Sequence, residues 1–203
     1  MKEKRIGIFG GTFNPIHIGH LAIAEVAQEK CGLDEVVFVP SYQPPHKTIS
    51  YLAPAKDRYR MVRLAVEGHS DFSVSDCEIK RKGRSFTIDT VRDFRKRLPK
   101  STQLFFIIGG DSFPDLSSWK EIDALSRLVT FIVVNRPGYR LPKGRRGIKY
   151  TSVVMPGIDL SSSHLRQRIT ERKSVKYFVP DKVLQYIKRQ KLYQRSGSRD
   201  RSS

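Results

Sequence analysis

Cysteine is scarce. Cys31 and Cys77 are the only two among 203 residues, far apart and without metal-ligand spacing. This excludes a disulfide framework and a zinc module, and it fits a chain kept reduced. Long apolar runs are missing too. The longest, about Leu128 to Val134, is interrupted by Thr130 and falls far short of the ~20 residues a spanning helix needs. A signal-peptide core is also lacking, because the apolar stretch after Met1 to Arg5 is broken by Gly7, Gly10, Gly11, Asn14 and Pro15. A soluble, cytoplasmic protein with no membrane contact is expected. Acidic residues are outnumbered: 20 Asp and Glu stand against 38 Lys and Arg, a net charge of +18. The excess favours anionic partners, whether nucleotide, nucleic acid or acidic surface, without choosing among them.

What is present belongs to a folded chain. Hydrophobic residues make up 38% and charged residues 29%, a globular composition. One domain over residues 1–193 is expected, with a helical C-terminal part from about 160 and a basic, disordered tail at 194–203. Apolar runs at Arg5 to Phe9, Glu35 to Val39, Leu104 to Ile108, Leu128 to Val134 and Tyr150 to Val154 read as strands. Between them, helical spacing predicts helices over Gly19 to Lys30, Ala55 to Glu67, Thr87 to Leu98 (capped by Thr87), Ser161 to Glu171 and Asp181 to Gln190. Phe72 to Ile79 is read as short strands. Strands without clean alternation, separated by helices, indicate an α/β fold: a doubly wound, Rossmann-like parallel sheet with helices on both faces. Ligands are then expected beyond the carboxyl ends of the strands.

Two segments carry chemistry. Gly10-Gly11-Thr12-Phe13-Asn14-Pro15-Ile16-His17-Ile18-Gly19-His20 joins the first strand to the first helix, where such folds place phosphate-binding backbone. His17 and His20 are three apart, so both imidazoles can face one pocket as the helix begins. A metal pair would need a third ligand nearby, and none of the right kind is present. Leu160-Ser161-Ser162-Ser163-His164-Leu165-Arg166 starts a helix with three hydroxyls and a guanidinium able to hold phosphate oxygens. By itself that segment is an ordinary capped helix.

Together the two segments resemble the signatures of the HxGH nucleotidyltransferase superfamily. Further stretches are similar, in order and spacing, to the bacterial nicotinate-nucleotide adenylyltransferases. They are Pro44-Pro45-His46-Lys47, Ser85-Phe86-Thr87-Ile88-Asp89-Thr90, Gly109-Gly110-Asp111-Ser112, Trp119, Asn135-Arg136-Pro137-Gly138, and Tyr177-Phe178-Val179-Pro180 through Leu192-Tyr193. The resemblance spans roughly Arg5 to Tyr193. Departures are Asn14 where Asp is frequent, Ser163 for Thr, Leu165 for Ile, and Lys120 where an aromatic can follow the tryptophan.

The resemblance implies an enzyme of NAD biosynthesis that joins ATP and nicotinate mononucleotide to nicotinate adenine dinucleotide and pyrophosphate. His17, His20 and Arg166 would be the catalytic groups. ATP would lie along Gly10, Gly11, Thr12 and Phe13, with Ser162 and Ser163 at the phosphates and Gly109 and Asp111 at a ribose. Lys47, Thr87, Trp119 and Arg136 would meet the mononucleotide, and Mg2+ would come with the phosphates and water rather than on protein ligands. The nearest rival in this chemistry, pantetheine-phosphate adenylyltransferase, lacks the stretches around Lys47, Thr87 and the C-terminus. A basic nucleic-acid-binding protein is the non-enzyme alternative. Its basic residues, Arg58, Arg60, Arg63, Lys80 to Arg84, Arg95 to Arg97, Arg145 and Arg146, are scattered and read as a solvated face. No specific nucleic-acid partner is expected, and a homo-oligomer is left open.

Overall fold

The strand-like apolar runs form a six-stranded sheet in the computed structural model, which describes residues 3–44, 51–135 and 147–194. The strands are β1 (Arg5–Gly11), β2 (Glu35–Pro40), β3 (Phe72–Val74), β4 (Gln103–Gly109), β5 (Thr130–Asn135) and β6 (Tyr150–Val154). Their order is β3-β2-β1-β4-β5-β6 and every pairing is parallel. This is the doubly wound, Rossmann-like α/β arrangement, with its switch point between β1 and β4. Side chains alternate between two cores. Phe9, Phe105, Ile107, Ile132 and Val134 enter one face, and Ile6, Ile8, Phe106, Ile108, Phe131 and Val133 the other. Helices cover both, which is why no strand shows polar alternation.

Helices α1 (Ile18–Cys31), α2 (Ala55–Val66), α6 (Ser162–Thr170) and α7 (Asp181–Arg189) pack on the first core. Helices α3 (Cys77–Arg81), α4 (Thr87–Arg97) and α5 (Ile122–Leu128) pack on the second. Helix α1 stops at Gly32, whose φ of 56° is the left-handed ending that favours glycine. Three expectations need correction. Thr87 is the first residue of α4 rather than its cap; Phe86 holds that place and no side chain caps the helix. The stretch 72–79 is one short strand followed by the start of α3. Third, Arg58 is no part of a solvated face: it is fully buried. Among the described residues no helix is long and apolar enough to cross a membrane.

Candidate active site

The carboxyl ends of β1, β4 and β5 and the first turns of α1 and α6 surround one cleft of about 950 Å3. Every described residue that the sequence nominated lines it: Gly10, Gly11, Thr12, Phe13, His17, His20, Thr87, Gly109, Asp111, Trp119, Ser162, Ser163 and Arg166. Lys47 and Arg136 lie outside the described residues.

The two signatures are bound to each other. The Ser162 hydroxyl donates to the Pro15 carbonyl at 2.9 Å, and Nη1 of Arg166 donates to the Asn14 carbonyl at 2.9 Å, across about 150 residues of chain. Nη2 of Arg166 also donates to Ser163 Oγ at 3.1 Å. Both of these bonds of the guanidinium are to dipoles. Burial lowers its pKa from the usual arginine value, yet an arginine stays charged at neutral pH. Ser161 caps α6 by accepting the His164 N–H at 3.2 Å. The start of that helix therefore presents backbone donors and a cation to the cleft, the natural environment of a phosphate.

The imidazoles lie 3.8 Å apart between ring centroids, their planes tilted by 31°. His17 N–H donates to Nδ1 of His20 at 3.3 Å, which puts the proton of the neutral His20 ring on Nε2. Phe13 packs against His20. Its backbone φ of 48° is left-handed and unusual for a side-chain-bearing residue. Its buried ring meets His20 edge-on at 5.1 Å. The turn requires glycine beside it: a Cβ on Gly11 would lie 2.7 Å from the Phe13 ring. Gly19 is needed for a similar reason, since a Cβ there would press on the His17 ring at 3.1 Å.

His17 is 4% exposed, and its Nδ1 has no hydrogen-bond partner among the described residues. Burial lowers its pKa from 6.5 to about 4, so it is a neutral donor or acceptor at physiological pH. Between those two values the unfolded chain binds the proton more readily than the folded one. Stability is therefore complete above about pH 6.5 and declines as pH falls towards 4, by on the order of 3 kcal/mol for this ring. Urea unfolding near pH 7 and near pH 4.5 is expected to show a smaller acid loss in His17→Asn than in the wild type; equal losses would contradict a ring buried in its neutral form.

Beneath the loop lie residues whose importance the sequence hides. Arg58 donates to the carbonyls of Ala53 (2.9 Å), Thr12 (2.8 Å) and Tyr42 (2.9 Å). Burial pushes its pKa down to about 10. Its spacing with Met61 and Val62, also buried, is the available signal: all three share one helical face. Asn14 is a second node. Its amide donates to the Tyr51 carbonyl (2.8 Å) and accepts from Ala53 N–H (3.1 Å) and the Tyr193 hydroxyl (2.9 Å). A carboxylate there would have no proton for the Tyr51 carbonyl.

The opposite wall holds the second subsite. Trp119 stands edge-on to Phe106 at 5.8 Å and to Phe131 at 6.3 Å, partly buried and lining the cleft. Lys120 places its ammonium 4.6 Å above the Phe86 ring and 3.5 Å from Asp89. Glu78 lies below the Ser85–Thr87 segment; it accepts from the Thr90 hydroxyl and bonds the Ser85 side chain, and burial raises its pKa.

Comparison with known proteins follows the same lines. The family model described as Cytidylyltransferase-like matches residues 8–168. A probable nicotinate-nucleotide adenylyltransferase of Shouchella clausii is 45% identical over 190 residues, covering 94% of this chain and 97% of that protein. One of Thermus thermophilus is 43% identical over 189 residues, covering 93% and 99%. Among solved structures, Plasmodium falciparum nicotinic acid mononucleotide adenylyltransferase complexed with APC superposes with a TM-score of 0.76 at 22% identity, covering 94% of this chain and 98% of that one. Its complex with NaAD gives 0.75 at 21% identity.

Proposed function

The chain belongs to the cytidylyltransferase-like family and, within it, to the nicotinate-nucleotide adenylyltransferases, and from this membership we propose how its cleft joins ATP to nicotinate mononucleotide. The mononucleotide's phosphate attacks the α-phosphorus of ATP in line. A new P–O bond forms, the bond to the β-phosphate oxygen breaks, and pyrophosphate leaves with the electron pair. A phosphate monoester is largely dianionic near neutral pH, so no base is needed. The work falls to positioning and to neutralising charge.

Each element of the site suits that work. The backbone of Gly10 to Phe13 follows the nucleotide, and His17, as a neutral ring, and His20 donate to phosphate oxygens. Arg166, with Ser162, Ser163 and the start of α6, holds the β and γ phosphates where negative charge builds up. The single observation carrying this reading is the direct bonding of the second signature to the first, Arg166 to Asn14 and Ser162 to Pro15. It sets imidazoles and guanidinium in one cleft, which supports a shared ligand. Mg2+ fits as a companion of the triphosphate. The described residues hold no group of three or more His, Cys, Asp or Glu able to cage it, so phosphate oxygens and water would carry it. When bound it adds charge neutralisation at the phosphates.

On the other wall, Trp119 stacks on the pyridine and Thr87 offers backbone N–H to the pyridine's carboxylate; Lys47 and Arg136 would meet the mononucleotide phosphate. Gly109 gives close approach to a ribose whose hydroxyl Asp111 accepts. Trp119→Ala is expected to raise KM for the mononucleotide by roughly tenfold or more, in line with the value of aromatic contacts, and to leave KM for ATP within about twofold; an unchanged mononucleotide KM would remove the stacking role. The reaction itself is tested by pyrophosphate release from ATP and Mg2+ with nicotinate mononucleotide, nicotinamide mononucleotide or phosphopantetheine as acceptor. Release is expected with the pyridine nucleotides, nicotinate foremost. Release with phosphopantetheine alone would overturn the assignment.

A further inference from the structure

Asn135 ends β5 at the cleft and is 4% exposed. Its side-chain Nδ2 donates to Ser152 Oγ on β6 at 3.2 Å, while its Oδ1 has no partner among the described residues. Buried amide oxygens are nearly always satisfied, because an unmet one gives up its water without compensation. An unmet amide end at a ligand cleft therefore marks a place where a ligand supplies the missing partner. The chemistry of that partner is restricted. An amide carries no charge, so it offers a phosphate less than a guanidinium or an ammonium does. Ser152 can donate or accept, so the amide can present either end. A hydroxyl satisfies both orientations.

The strand register places this amide beside the residue already assigned to a ribose. Gly109 pairs with Val134, so Asn135 stands one step further along the same sheet edge, next to the turn that carries Asp111. Vicinal hydroxyls of one sugar can reach two such neighbours. We infer that Asn135 is a ligand contact that takes a ribose hydroxyl of a substrate nucleotide, adjacent to the one Asp111 accepts. This rests on the adenylyl-transfer reading above. The two substrates each bring a ribose, and the amide selects for the hydroxylated sugar in whichever one reaches it.

The test compares kcat/KM of the wild type and Asn135→Ala with ATP, 2′-deoxy-ATP and 3′-deoxy-ATP, and then with nicotinate mononucleotide and its 2′- and 3′-deoxy forms. In the wild type at least one deoxy form is expected to lose about tenfold, the scale of one hydrogen bond to a buried polar group. In Asn135→Ala the parent substrates lose a similar factor, and that deoxy form loses nothing further. The identity of that form names the sugar and the hydroxyl. Losses that multiply in the variant, or a wild type indifferent to every deoxy substitution, would overturn the contact. Asn135→Leu, which keeps the volume, serves the same comparison if the alanine variant does not fold. Wild-type turnover with ATP and nicotinate mononucleotide is the separate check on the parent reading; its absence would sink that reading rather than the amide alone.

Discussion

In His20→Ala, kcat is expected to fall by two to three orders of magnitude, the range seen when one preorganised donor to a developing negative charge is removed. The ring has a defined tautomer, because its Nδ1 accepts the His17 N–H. It is fixed in direction by the edge of Phe13 and by the adjacent His17 ring. A donor held in this way needs no reorganisation as charge moves onto the leaving pyrophosphate. The fold should survive, because the ring packs on the rim of the core and Phe13 keeps its contacts with Phe9 and Phe38. Steady-state turnover with a circular-dichroism melt checks both halves. A kcat within threefold of the wild type would remove His20 from the chemistry.

The second large effect concerns stability. Arg58→Met is expected to cost about 3–5 kcal/mol, since each buried acceptor left without its donor costs roughly 1–3 kcal/mol and the two partly buried ones fall at the low end of that range. Three carbonyls would each lose their donor, that of Ala53 in a fully buried place and those of Thr12 and Tyr42 in partly buried ones. Against a total of roughly 5–15 kcal/mol for a domain, that leaves little margin. Arg58→Lys is expected to recover only part of the loss, because one ammonium cannot reach three carbonyls in the plane of a guanidinium. Urea unfolding measures both variants. A loss below 1 kcal/mol in Arg58→Met would mean that the loop at Thr12 is held by something else.

The contrast between these residues shows what a sequence reveals here. His17, His20 and Arg166 were legible because their chemistry is local: a glycine turn at a strand end, two imidazoles one helical turn apart, and hydroxyls at a helix start. The sheet was legible too, since Leu104 to Ile108 and most of Leu128 to Val134 are apolar on both faces, as in a doubly covered strand. Arg58, Asn14 and Asn135 were not. A buried arginine looks like a surface arginine until the carbonyls around it are in place, and those carbonyls come from segments up to 46 residues away. Asn14 stood in the first signature merely as a departure from Asp, yet its amide connects Tyr51, Ala53 and Tyr193. Helix α5 escaped notice because its seven residues, Ile122–Leu128, are too few to show a helical period. Thr87 looked like a cap from residue type, whereas the backbone at Phe86 is extended and begins the helix one residue earlier.

The convergence of both signatures on one triphosphate is tested most directly by a crystal structure of the chain with a non-hydrolysable ATP analogue. The account predicts phosphate oxygens within hydrogen-bonding distance, about 2.7–3.2 Å, of a ring nitrogen of His17, a ring nitrogen of His20 and the Arg166 guanidinium at once. A triphosphate bound elsewhere, or one that reaches the imidazoles while Arg166 keeps only its bonds to Asn14 and Ser163, would contradict it.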